Sequence, residues 1–182
     1  DGATGTNSVA IGGASKAAGN LATALGAYTT ASAERAVALG NQASATGTSA
    51  ISIGNRSSAT DAGSVAIGST SQAAKGGVAL GIESKATASS SMALGQNSSA
   101  TEYLSMALGN FSSASANNAM AMGYLAKAKS GSSTAIGSRA ETNGLYSLAI
   151  GDRAYVGGVN SGDGSSADVS VPNERKNTVR ED

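Results

Sequence analysis

Small and large side chains alternate along most of this chain, and glycine punctuates the alternation. In Ser64-Val65-Ala66-Ile67-Gly68 the first, third and fifth residues are small, while the second and fourth are β-branched and apolar. A period of two predicts a strand, because successive side chains of a strand point to opposite faces. A second short alternation, Ser71-Gln72-Ala73, follows closely. Turn-forming residues stand between such strands, as at Asp61-Ala62-Gly63, Gly76-Gly77, Asn117-Asn118 and Asn143-Gly144.

This unit of two strands and two turns repeats. The pattern x-Ala-aliphatic-Gly, with Ile, Leu or Met as the aliphatic residue and Ser52 the one replacement of the alanine, recurs with glycines at Gly12, Gly26, Gly40, Gly54, Gly68, Gly81, Gly95, Gly109, Gly123, Gly137 and Gly151. Nine of the ten intervals are fourteen residues; the interval from Gly68 to Gly81 is thirteen, with Ala74-Lys75-Gly76 as a trimmed turn. Self-similarity at a fixed period is the mark of a stacked repeat architecture. The expected fold is all-β: a parallel β-roll, a single-stranded β-solenoid of about eleven 14-residue coils, occupying residues 1–156. After Gly151 the register fades. Residues 157–169 are expected to be a loop or insertion, and 170–182 either the start of a neck or a frayed end.

Side-chain size predicts which face is inside. With the repeat glycine as position zero, offsets −4, −2, 0, +3 and +5 hold only Ala, Gly, Ser or Thr, apart from Val156. A coil of fourteen residues is thin, and overfilling a packed interior costs about 1–3 kcal/mol per site. The small set is therefore assigned to the interior; the alternative places Val and Ile inside. The large residues at −3 and −1 then form an outward stripe. It contains Val9, Ile11, Val37, Leu39, Ile51, Ile53, Val65, Ile67, Val78, Leu80, Met92, Leu94, Met106, Leu108, Met120, Met122, Ile136, Leu148 and Ile150. Coils stacked about 4.8 Å apart make this stripe roughly 50 Å long. Monomers rarely leave so large an apolar patch in water, so these residues are the expected subunit interface of a cyclic homo-oligomer with parallel axes. Three narrow prisms sharing one axis, a homotrimer, is the natural packing. The opposite strand presents offset +4 outward as a polar face, with Lys16, Lys85 and Lys127 as candidate ligand contacts.

Composition narrows the chemistry. Twelve basic and twelve acidic residues cancel, so no net charge draws the chain to nucleic acid or acidic lipid. With no cysteine and no histidine, disulfides, thiolate metal sites and the commonest general base are missing. An enzyme is not expected, nor a cofactor. Left-handed β-helix acyltransferases share an aliphatic-Gly hexapeptide, which Ile67-Gly68-Ser69-Thr70-Ser71-Gln72 fits, but Ala73 to Val78 break it and no histidine is available. Gly157-Gly158-Val159-Asn160-Ser161-Gly162-Asp163-Gly164 resembles a calcium-binding nonapeptide; it occurs once, whereas that architecture stacks many copies, and a loop is expected. No run has the form of a signal peptide or a transmembrane helix, so the expectation is a soluble protein or a piece of a longer one.

The unit Asn7-Ser8-Val9-Ala10-Ile11-Gly12-Gly13-Ala14-Ser15 resembles the head repeat of the YadA-like trimeric autotransporter adhesins, and the likeness recurs in all eleven units. The resemblance implies a left-handed, trimeric β-roll head, displayed at the bacterial cell surface and tied to the outer membrane only through a stalk and C-terminal barrel outside this chain. It also implies adhesion, as a virulence function, to a host matrix protein such as collagen, fibronectin or laminin. In that family the Asn-Ser-Val-Ala-Ile-Gly-x-x-Ser motif is linked to collagen binding. Asn7 to Ser15 match it, and Gly63 to Ser71 match it with Gly63 in place of Asn. Ser170-Val171-Pro172-Asn173, with Arg175 and Val179, resembles the neck of such heads, although Pro172 stands where glycine is usual. Other readings of a β-rod remain: a structural spacer or phage-spike-like rod without its own ligand, or an ice-binding solenoid. The last needs a Thr-x-Thr ladder that the outward ranks lack.

Overall fold

A computed structural model describes residues 2–157 and 169–170. Every described element is a strand, and the strands form two parallel sheets of twelve. One sheet collects the three-residue strands, from Val9–Ile11 through Val65–Ile67 to Leu148–Ile150; the other collects two-residue strands such as Lys16–Ala17 and Lys85–Ala86. The chain passes from one sheet to the other and back in each coil. The expected solenoid of about eleven turns is the architecture found.

Equivalent residues stack on equivalent residues. Val65 pairs with Ile51 and Val78, and Ala66 with Ser52 and Ala79. The thirteen-residue step leaves this register intact, because Val65, Ala66 and Ile67 still face Val78, Ala79 and Leu80. The deletion is absorbed in the turn, where Lys75 at φ 51° and Gly76 at φ 71° close a shorter path.

The interior is the small-residue side. Beyond the first coil, where Ser8 and Ala10 are half-buried, the alanines at −2 and +5, such as Ala66, Ala79 and Ala86, are buried, as are the residues at −4 and +3, such as Ser64 and Ser84. The repeat glycine departs from the expected reason for its size. Gly81 has φ +137°, and a Cβ there would stand 2.5 Å from the Gly95 carbonyl oxygen. It is glycine because the next coil approaches its backbone in a left-handed conformation, not because its hydrogen points into a narrow core.

Buried serines have a job beyond filling space. At +3, Ser84 Oγ donates to the Gly81 carbonyl at 2.9 Å, and Ser98 Oγ to Gly95 at 2.7 Å. At −4, Ser64 Oγ donates to the Asp61 carbonyl at 2.6 Å, and Ser105 Oγ to Glu102 at 2.6 Å. Each hydroxyl thus satisfies a carbonyl of the turn that precedes it, three residues back. Ser52, in the alanine rank, is satisfied by the Ser57 hydroxyl at 2.7 Å. Among the described residues no buried side-chain polar atom lacks a partner, as close packing of polar groups requires.

Two turn edges run along the roll. One carries the repeat glycines and the two residues after each; the other lies across the coil. We call them the glycine edge and the far edge. The third residue of nearly every turn is left-handed with a side chain, as in Tyr28, Arg56 and Phe111 on the glycine edge and Leu21 and Leu104 on the far edge. At that third position Asn or Gly is the exception, as at Asn7, Gly63, Asn97 and Asn118.

Past the eleventh coil, Val169–Ser170 add a further strand, pairing Val169 with Leu148 and Ser170 with Ala149. This strand straddles the boundary expected between residues 169 and 170. The rest of the expected loop and neck, including the calcium-like nonapeptide after Gly157 and Pro172, lies outside the described residues.

Replacing Ala79 with Leu should disrupt the stack, lowering stability by about 1–3 kcal/mol or more, whereas Val78→Leu should melt close to the parent. Gly81→Ala should be at least as damaging as Ala79→Leu, since its methyl meets backbone. Thermal denaturation followed by circular dichroism checks all three. An Ala79→Leu protein that melts like the parent contradicts the assignment of inside and outside.

Candidate functional site

What the roll can do depends on what its faces and edges display, because the interior is filled. The three-residue sheet turns Val9, Ile11, Val37, Leu39, Ile51, Ile53, Val65, Ile67, Val78, Leu80, Met92, Leu94, Met106, Leu108, Met120, Met122, Ile136, Leu148 and Ile150 outward. Leu25 joins them. Stacking against neighbouring coils half-buries most of these side chains; Ile11, on the first coil, is 58% exposed. The alternating burial of each strand, outer residues open and central alanine closed, is the signature of one dry and one uncovered face. Only Thr23 and Thr134 interrupt the apolar ladder.

The two-residue sheet offers the opposite character. Lys16, Lys85 and Lys127 are all exposed at the outward position. The structure strings them out rather than gathering them: they stand on the first, sixth and ninth coils, about 24 Å and 14 Å apart at ~4.8 Å per coil. Each has a different setting. Lys16 pairs in register with Gly2 and Thr30. Lys85 borders a shallow notch of about 300 Å³ lined by Thr70, Gln72, Glu83 and Asn97. Lys127 neighbours Glu141 across the ladder.

Near the end of the roll these charges are organised. Lys129 Nζ donates to Glu141 Oε1 at 2.6 Å, and Asn143 Nδ2 donates to the same oxygen at 3.2 Å and to the Tyr155 hydroxyl at 3.2 Å. The hydrogen bond from Lys129 is the main cause that holds the Glu141 carboxyl below its usual range. Partial burial opposes it, while Asn143 and the positive charges of Lys129 and Lys127 assist. The network ties together three successive coils where the polar sheet ends.

The edges carry side chains that sequence reasoning passed over. On the glycine edge Phe111 and Tyr124 meet edge to face with centroids 6.1 Å apart. The Arg139 guanidinium lies 5.9 Å from the centre of the Tyr124 ring. These residues sit thirteen and fifteen positions apart, one coil each, so they are neighbours only after stacking. Their signal was their place one or two residues after successive repeat glycines, Gly109, Gly123 and Gly137. Polar ladders occupy the same edge lower down: Asn55 Nδ2 donates to Asn41 Oδ1 at 3.1 Å, and Arg56 Nε to Gln42 Oε1 at 2.8 Å.

Among the described residues no group of carboxylates could share a metal ion, and no helix is long and apolar enough to cross a membrane. The arrangement suits surface contact: one apolar face, one polar face with spaced cations, and two edges of mixed character.

The sequence matches the family model of the YadA head domain repeat over residues 3–29, 17–43, 45–71, 73–98, 100–126 and 128–154. Among solved structures, the collagen-binding domain of the Yersinia adhesin YadA is similar, with 29% identity. The match covers 91% of this chain and 74% of that chain, with a TM-score of 0.47. No curated protein matches the chain.

The Glu141 network makes a pH-dependent contribution to stability. A carboxyl held below its unfolded value stabilises the fold above that value, and the contribution is lost as pH falls through the lowered folded value. Glu141→Gln should therefore lower the melting temperature at pH 7, and the gap to the parent should begin to narrow as pH falls through about 4, where an unperturbed Glu protonates, and vanish only once pH has passed the lowered folded value. Melting curves across pH check this; a gap that persists unchanged in acid contradicts the ionised pair.

Proposed function

The chain belongs to the family of YadA head domain repeats, and from that premise we propose that it is the head of a bacterial surface adhesin, a homotrimeric rod that binds a host matrix protein. Adhesion is the function of such heads, and none of their chemistry is enzymatic. The observation that carries the proposal is the division of one narrow roll into an uncovered apolar sheet and a polar sheet facing the other way. An apolar stripe roughly 50 Å long needs a partner of equal length and matching repeat. A second and third copy, axes parallel, supply both. Val9, Ile11 and the rest of the stripe then line the trimer axis, and the polar sheets face outward on three sides.

An outward display repeated every coil favours a long ligand over a small one. Each coil offers a similar, weak contact, and affinity comes from engaging many at once, since tethered contacts after the first bind at high effective concentration. A fibrous protein such as collagen fits that geometry best; fibronectin and laminin are extended candidates of the same kind. Lys16, Lys85 and Lys127 are the proposed cationic contacts, one on each segment of the rod. Anchorage in an outer membrane belongs to parts of such proteins other than this repeat array.

Static light scattering of the purified chain should give three times the chain mass of 17.4 kDa; a monomer removes the basis of the trimer. Binding to immobilised collagen, fibronectin and laminin tests the function. Trimming the array to about six coils with folded ends should weaken binding progressively, as summed contacts require. Lys85→Ala alone should change little, with losses growing as Lys16→Ala and Lys127→Ala are added. A single substitution that abolishes binding, while truncation elsewhere has no effect, would show a discrete site instead. No binding to any of the three by a well-folded trimer would leave the rod a spacer.

A further inference from the structure

The trimeric reading leaves the large exposed side chains of the two turn edges unexplained. Leu21, Tyr28, Tyr103, Leu104 and Phe111 are between 43% and 64% exposed. Four of them, all but Tyr103, are also held at φ between 52° and 59°, a conformation that costs a side-chain-bearing residue energy. Apolar groups that are both strained and wet call for a partner.

Their positions along the rod identify it. A rotation about an axis parallel to the rolls carries one protomer onto the next without any shift along the axis. Each apolar face is only three residues wide, so turning three of them inward brings the glycine edge of one roll against the far edge of its neighbour. What one edge offers must then be matched by the other edge at the same coil. That is the pattern here. On the second coil Tyr28 occupies the glycine edge and Leu21 the far edge; on the eighth, Phe111 occupies the glycine edge and Tyr103-Leu104 the far edge. On the sixth coil the pair is Glu83 and Lys75, opposite in charge. The third, fourth and seventh coils have polar residues on both edges, as at Asn41-Gln42 against Glu34-Arg35. Two coils depart: on the ninth, Tyr124-Leu125 face Asn117-Asn118, apolar against polar, and on the eleventh, Leu145-Tyr146 face Asp152-Arg153, an aromatic against a cation.

We propose that the two edges form corner latches between protomers of the trimer, with Tyr28 against Leu21, Phe111 against Tyr103 and Leu104, and Glu83 against Lys75, each from adjacent copies. The latches fix the rolls at zero axial offset. The apolar sheet alone would leave that offset free, because a ladder repeating every 4.8 Å fits itself equally well after a slip of one coil. This inference rests on the trimer proposed above.

The chain has no cysteine, so an introduced pair is unique. In the full chain carrying Tyr103→Cys and Phe111→Cys, the two positions of one protomer lie on opposite edges, separated by the strand Met106–Leu108 and its flanking Ser105 and Gly109, about 13 Å at ~3.3 Å per residue. That is beyond the reach of a disulfide, whose Cα atoms approach within about 7 Å. Mild oxidation, or a short bifunctional maleimide, should convert the double variant to a covalent trimer on denaturing gels, while each single variant stays a monomer there. A native trimer by light scattering that does not cross-link overturns the latches and leaves the trimer standing. A monomer by light scattering overturns both. Dimers formed by Phe111→Cys alone would mean that like edges meet, which also overturns the proposal. As a second arm free of cysteine, Glu83→Lys should lower the melting temperature of the trimer at low salt, and adding Lys75→Glu should restore it. Equal melting of all three proteins counts against the latch at the sixth coil.

Discussion

Coils of this roll come so close that backbone nearly meets backbone, and the rest of the structure follows from that approach. A thin coil with two short strands has room inside for little more than a methyl or a hydroxymethyl group. Alanine fills it at −2 and +5 with close contacts, yet each alanine methyl contributes only about 0.8 kcal/mol when buried. The roll cannot depend on bulky apolar burial as an ordinary domain does. Its cohesion comes from parallel hydrogen-bond ladders that continue without interruption for twelve strands in each sheet, and from many small, equivalent contacts. Such a structure is quasi-one-dimensional: each coil answers chiefly to its two neighbours.

Narrowness also explains why polar residues are inside and large apolar ones outside, the reverse of a globular protein. Serine at −4 and +3 is tolerated because a turn carbonyl lies three residues back, within reach of its hydroxyl, so burial leaves nothing unpaired. Valine, isoleucine and methionine cannot enter and are displayed on one flat sheet instead. A displayed apolar sheet is a liability for a monomer and the obvious seam for an oligomer. The same constraint that empties the core of large side chains thereby puts them on one uncovered sheet.

Function then belongs to what is left over. With the interior filled and one sheet uniformly apolar, the polar sheet and the turn edges are the parts that vary. Ser, Lys, Gln, Glu, Thr and Tyr all occur along the outward rank while the alanines beside them hardly change. A rod whose scaffold is invariant and whose display changes coil by coil suits adhesion to a long surface. Polar networks such as Lys129–Glu141–Asn143–Tyr155 bind successive coils together on that display side without using the core.

The repeat, its two strands per coil, the inward small rank and the outward apolar stripe were all legible in the sequence, because each is a periodic property and stacking turns sequence period directly into spatial rank. The thirteen-residue step was visible too, but only the folded chain showed that a turn absorbs it while the pairing of Val65 with Val78 is kept. What sequence could not decide was anything depending on distance across coils or on local backbone geometry. Phe111, Tyr124 and Arg139 become one cluster only when stacking brings positions a full coil apart together. Tyr28 and Leu104 adopt left-handed turns that their residue types disfavour, because the ladders on either side leave the turn no other path. The repeat glycine was read as small for the sake of the core, whereas its conformation and the approach of the next coil's carbonyl make it necessary. Side-chain pattern determined the architecture; backbone packing between coils decided the turns, the edges and the neighbours that meet there.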